Sequence, residues 1–172
     1  ANILVKLGEV EDSLRFGNWS YNMIKDHLNS ETCQSVLINY LVLMLDTGDI
    51  SKAEEAKELL DSVKERELGD RLLKGERSRG IGLFFAKKRE FDRSTEHMDR
   101  ALDIHKNLQV PFQLGLTYFQ YGLILFQEMK VEEAMSNLKE ASKLFKSINA
   151  IYYLNRVSSK IRELTFIQEG LR

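Results

Sequence analysis

The chain has 172 residues, 43% of them hydrophobic and 30% charged, with ten glycines, one proline and one cysteine. So much apolar side chain excludes a disordered polypeptide. No apolar run is long enough to span a bilayer, and the scarcity of proline argues against a loop-rich or all-β fold. A net charge of −1, from 25 basic and 26 acidic residues, gives no global attraction to nucleic acid or membrane. The lone Cys33 cannot close an internal disulfide, so a reducing, cytoplasmic setting is expected.

In chain order, residues 1–7 read as the tail of a first helix, and the first helix pair is expected to end near residue 29. Residues 32–47 are dense with Val36, Leu37, Tyr40, Leu41, Leu43 and Met44, with Ser30 placed as an N-cap and Gly48 as the left-handed residue after the helix. The segment 50–65 is amphipathic, with Ile50, Ala53, Ala56, Leu59, Leu60 and Val63 spaced by three and four. Segments 71–87, 91–106, 113–127 and 131–146 repeat the alternation, the first of each pair being the more apolar. Pro111, just ahead of the third of these, suits a helix start. Residues 149–169 put Ile151, Leu154, Val157, Ile161 and Leu164 on one stripe and read as an unpaired closing helix. The chain opens on alanine in mid-pair, so a fragment of a longer protein is expected, with exposed stack ends open to self-association.

These segments share a register. Val10, Ile50, Phe91 and Val131 open the second helices at a regular spacing of about 40 residues, a period that marks a stacked repeat. Each is followed three positions later by a small side chain: Ser13, Ala53, Ser94, Ala134. Ala101 and Ala141 add a second small residue seven positions further on. Gly82 and Gly122 recur one period apart in the first helices. Small residues at matching places let two helix backbones approach closely, which offsets the cost of about 1 kcal/mol for a mid-helix glycine. The fold expected is therefore all-α, a single domain of stacked antiparallel helix pairs, roughly 1–29, 32–65, 71–107 and 113–146, closed by 149–169.

The pattern of Gly122, Val131, Ala134 and Ala141, with Tyr118 and Tyr121 ahead, resembles the tetratricopeptide repeat family. Gly82, Phe85, Phe91, Ser94 and Ala101 match it again. In the second pair Leu41 replaces the glycine and Lys57 stands where an apolar residue is usual. The usual repeat is about 34 residues long. The longer period of this chain is similar to the variants in sensor domains of signalling ATPases and maltose-regulator-type transcription activators, and in polarity adaptors. The resemblance implies a right-handed superhelix whose first helices line a concave, partner-binding side. Carried over position by position, it points Ile38, Val42, Arg79, Leu83, Phe119, Leu123 and Phe126 toward that groove. Glu76, Arg79, Lys87, Arg156 and Lys160 are expected to add a polar rim. Phe119 and Phe126 can equally fill the core between repeats. Only Asn39 fits the constellation of the chaperone-tail clamp, so co-chaperone function is not expected.

No catalytic constellation emerges. His27, His97 and His105 stand apart without metal-ligand spacing, Gly80-Ile81-Gly82 is no phosphate loop, Cys33 reads as a packing residue, and the carboxylates lie at helix-surface spacing. Neither enzyme activity, metal nor cofactor is expected. Charge is unevenly distributed: residues 1–49 hold three basic and seven acidic side chains, residues 71–89 seven basic and one acidic. A protein or peptide partner is expected, an acidic one being suggested by the basic segment. Nucleic acid is not expected, because Phe84 and Phe85 of that segment read as buried. The function expected is a non-catalytic binding scaffold, the regulatory module of a larger signalling or transcription-regulating protein. The alternative is effector sensing for an ATPase or DNA-binding domain.

Overall fold

The computed structural model describes residues 10–28, 30–63 and 70–170. Among the described residues there are eight helices and no strand: α1 (Val10–Ile24), α2 (Glu31–Thr47), α3 (Ile50–Ser62), α4 (Arg71–Lys87), α5 (Phe91–Asn107), α6 (Pro111–Gln127), α7 (Val131–Ser147) and α8 (Ile151–Gly170). The expected helix tail at 1–7 and residues 64–65 of the 50–65 segment lie outside them. Helices α2/α3, α4/α5 and α6/α7 pack as successive pairs, with α1 against α2 and α8 against α7. The result is an all-α stack of antiparallel helix pairs.

Helices α4 to α7 each contain 17 residues, about 25 Å at 1.5 Å per residue. A three-residue turn follows each of them, and each turn holds one left-handed residue: Arg89 (φ 60°), Gln109 (54°), Met129 (61°) and Asn149 (55°). Gly48 (φ 82°) does the same after α2, where its sequence position implied it. The next N–H closes back on the helix it leaves, as in Glu90 to the Phe85 carbonyl (2.9 Å) and Ala150 to the Phe145 carbonyl (2.8 Å), so the last carbonyls stay satisfied. Ser30 caps α2 by accepting from the Cys33 N–H. Pro111 is itself the first residue of α6, which starts two residues earlier than the apolar pattern indicated.

The small residues lie where paired helices touch. A Cβ on Gly82 would fall 2.8 Å from Met98 Sδ and 3.3 Å from the Ser94 carbonyl oxygen. One on Gly122 would fall 3.0 Å from Leu138 Cγ and 3.2 Å from the Ala134 oxygen. Ser94 Oγ also donates to the Gly82 carbonyl at 2.8 Å. Lys57 lies with its ammonium 5.4 Å from the centre of the Phe85 ring and pairs with Asp61, so its stem covers apolar surface while its charge stays wet.

Successive pairs are tied by tyrosines two periods apart. Tyr40 on α2 donates to Asn18 on α1 at 3.0 Å, and Tyr121 on α6 bonds Thr95 and Asp99 on α5. Burial pushes both phenols up to about 12. One core gathers Leu37, Leu41, Met44 and Leu60, a second gathers Met98, Leu138, Phe145 and Val157, and Leu83 packs against both. On α8 the inward stripe is Tyr153, Val157 and Leu164. Ile151, assigned to that stripe from its spacing, is instead 53% exposed. Phe16, Trp19 and Met23 are exposed on α1, and Phe166 on α8.

The crossing of α6 with α7 leaves no room for a side chain at residue 122. Gly122→Leu should destabilise the fold by about 3 kcal/mol through overpacking, read as a lower midpoint in urea unfolding. An unchanged midpoint would show that the helices are not in close contact there.

Candidate functional site

Because the first helices share one register, positions one period apart come together on one face of the stack. A cavity of about 820 Å³ opens there, walled by α2, α4, α6 and α8. Its lining includes the equivalent sets Asn39/Arg79/Phe119, Glu76/Leu116/Arg156, Leu83/Leu123 and Phe112/Tyr152.

Of the residues expected in a groove or at its rim, the cavity brings together Val42, Glu76, Arg79, Leu83, Lys87, Phe119, Leu123 and Arg156. Ile38, Phe126 and Lys160 do not line it. Ile38 is 3% exposed and sits against Gly80, at the contact of α2 with α4. Phe126 packs against the second core. Lys160 lies one turn beyond Arg156 and pairs with Glu163 at 2.7 Å. Phe119 is core as well as wall: it is 3% exposed, with the Arg156 guanidinium 5.4 Å from its ring centre. Removing a buried phenylalanine costs about 3–5 kcal/mol, so Phe119→Ala would report on stability rather than on the groove.

The polar end of the cavity is a network rather than a scatter of surface charges. Arg79, only 5% exposed, pairs through Nη2 with Glu76 and donates through Nη1 to Gln120 Oε1 at 2.7 Å, joining α4 to α6. Behind Glu76 lies His105, fully buried. Its Nδ1 is 3.0 Å from Thr117 Oγ1, which itself reaches the Gln113 carbonyl at 2.9 Å. Its Nε2 is 3.4 Å from Glu76 Oε1, without hydrogen-bond geometry. A neutral ring has one N–H and cannot donate at both nitrogens. Burial, reinforced by Arg79 and opposed by Glu76, holds the His105 pKa below the usual histidine range. On the outer side of the cavity Arg156 and the exposed Lys87 add positive charge, and Asp46 adds negative charge.

The other basic side chains of 71–89 disperse. Arg77 donates to the Val63 carbonyl and Lys88 pairs with Glu54. Phe84 and Phe85 are buried. His97 stacks on Phe85, and Cys33 is half-buried. Among the described residues, no group of three or more His, Cys, Asp or Glu is placed to hold a metal ion, and no helix is long and apolar enough to cross a membrane. No family model and no curated protein matches the chain.

Sequence reasoning missed Phe112, Leu116, Gln120 and Tyr152 in the wall and His105 behind it. The repeat register holds the signal for several of them. Tyr152 is Phe112 shifted by one period, and His105 takes the place of Phe145: each ring fills the space beside a glycine, Gly75 for His105 and Gly115 for Phe145.

His105 makes stability pH-dependent. The unfolded ring binds its proton near pH 6.5, the folded ring only at lower pH. Between the two values the unfolded state holds more protons, so stability falls as pH drops below about 6.5, by at most about 1.4 kcal/mol per pH unit from this group. His97, lowered chiefly by burial, contributes with the same sign. His105→Phe, which restores the residue one period on, should therefore lose less stability than the wild type between about pH 7.5 and 5. Urea unfolding at both values checks this, and parallel losses would contradict it.

Proposed function

We propose that the chain is a non-catalytic binding module of tetratricopeptide type, whose face of first helices receives an extended peptide segment with acidic and apolar side chains. It would serve as the regulatory part of a larger signalling or transcription-regulating protein, in a cytoplasmic setting. One observation carries this reading: a single cavity puts Arg79, Lys87 and Arg156 beside the apolar surface of Val42, Leu83 and Leu123. Four helices about 10 Å apart span about 30 Å, which about nine residues of extended chain would cross. Arg156 lies near the Phe119 and Tyr152 rings, so its charge is held at the wall rather than swinging freely.

A second reading, sensing of a small acidic effector, draws support from the convergence of Glu76, Arg79 and Gln120 in a cavity of about 820 Å³, a volume typical of small-molecule sites, roughly 300–1,000 Å³.

A fluorescein-labelled nonapeptide of alternating Glu and Leu, compared with its Gln/Leu counterpart, tests the peptide reading by fluorescence anisotropy. The acidic peptide should bind more tightly. Arg156→Glu, at an exposed position, should weaken it about tenfold or more, since a like charge then meets the ligand. The variant should lose only the ring contacts, about 1 kcal/mol of stability at most. Equal binding by both peptides, or by wild type and Arg156→Glu, would refute the reading. Small carboxylic acids raising the melting temperature without any peptide binding would favour the effector instead.

A further inference from the structure

Three buried polar atoms without a hydrogen-bond partner gather at the inner end of the cavity: Glu76 Oε1, Arg79 Nε and His105 Nε2. Such atoms are costly to leave unmade, and two of them face each other. Glu76 Oε1 can only accept. If the single proton of the neutral ring serves Thr117 at Nδ1, Nε2 turns a lone pair toward that oxygen. If it serves Glu76, Thr117 must turn its O–H to donate to Nδ1 and release the Gln113 carbonyl. A second proton on the ring satisfies both sides at once.

Two things oppose that proton when no ligand is bound: burial of the ring and the charge of Arg79. Glu76 is already paired with Arg79, so an added proton leaves the three-residue cluster with a net charge of +1 around a fully buried ring. An anion brought against Arg79 from the cavity removes that excess. The charged groups facing the ring are Glu76 and Arg79, both from α4, while α6 contributes the neutral Thr117.

We propose that a ligand carboxylate seated beside Arg79 is bound together with one proton, which His105 takes up at Nε2. The inference rests on the groove reading given above and adds a regulation to it. The ligand stays outside, on the Arg79 side; the proton comes from solvent and lies between His105 and Glu76. Linkage is reciprocal, so lower pH strengthens binding and binding makes His105 easier to protonate. The affinity gain is limited to tenfold per pH unit, the slope for one proton.

Calorimetric titration of the Glu/Leu nonapeptide at about pH 6 and 7.5, in buffers of different ionisation enthalpy, counts the protons. Wild type should take up a proton fraction approaching one and bind more tightly at the lower pH. His105→Phe should bind the peptide with neither uptake nor this pH dependence, and Glu76→Gln should lose most of the uptake. Peptide binding without proton uptake, or with the same uptake in His105→Phe, overturns the proposal and leaves the groove reading standing. Absence of peptide binding at either pH overturns both. Should His105→Phe fail to fold, the wild-type ring nitrogens decide by NMR. Peptide should move the His105 Nε2 resonance toward that of a protonated nitrogen, and an unmoved resonance overturns the proposal.

Discussion

In the pairs α4/α5 and α6/α7 two helix backbones come close at the middle because short side chains meet there. Gly82 lies against Ser94 and Met98, and Gly122 against Ala134 and Leu138. This contact sets how far the second helix stands from the first, and the three-residue turns set the reversal between them. Helices of 17 residues joined by such turns give the pairs α4/α5 and α6/α7 the same length, so equivalent positions of α4, α6 and α8 line up. The cavity is a consequence of that alignment. Its wall is read one residue per helix at intervals of one period, which is why Glu76, Leu116 and Arg156 share it despite their distance in sequence.

Departures from the repeat give the cavity its chemistry. At the position held by Asn39 on α2 and by Phe119 on α6, α4 carries Arg79; at the position of Phe145 on α7, α5 carries His105. One period on, Phe119 and Phe145 fill the same two sites with buried apolar rings. Arg79 is instead held by Glu76 and Gln120, because an unpaired buried cation would cost several kcal/mol, and burial holds the histidine pKa low in spite of Glu76. Fixed partners keep Arg79 in one orientation, which is the property a recognition site needs.

The helices were legible in the sequence because periodicity, the Ser30 cap and Gly48 are local signals. The repeat was legible because Val10, Ile50, Phe91 and Val131 mark it directly. The later turns were not, since Arg89, Gln109, Met129 and Asn149 adopt left-handed backbone without a glycine to announce it. Eight of the eleven residues expected at the groove and its rim line the cavity. Ile38 and Phe126 depart because whether a residue on the inner stripe meets a neighbouring helix or open space depends on how far the pairs rotate from one to the next. Lys160 departs because the cavity ends one helical turn earlier, at Arg156. His105 was hidden for a different reason: its partners Glu76 and Thr117 lie on two other helices, α4 and α6, and no local spacing connects the three.

The central claim is that ligand recognition belongs to the face of first helices. Mapping amide chemical shifts of the ¹⁵N-labelled protein as the Glu/Leu nonapeptide is added tests it most directly. Perturbations should concentrate along residues 79–87 of α4 and 116–123 of α6 and around Arg156 on α8. Shifts confined to α5 and α7, or to the exposed Phe16, Trp19 and Met23 of α1, would contradict the account.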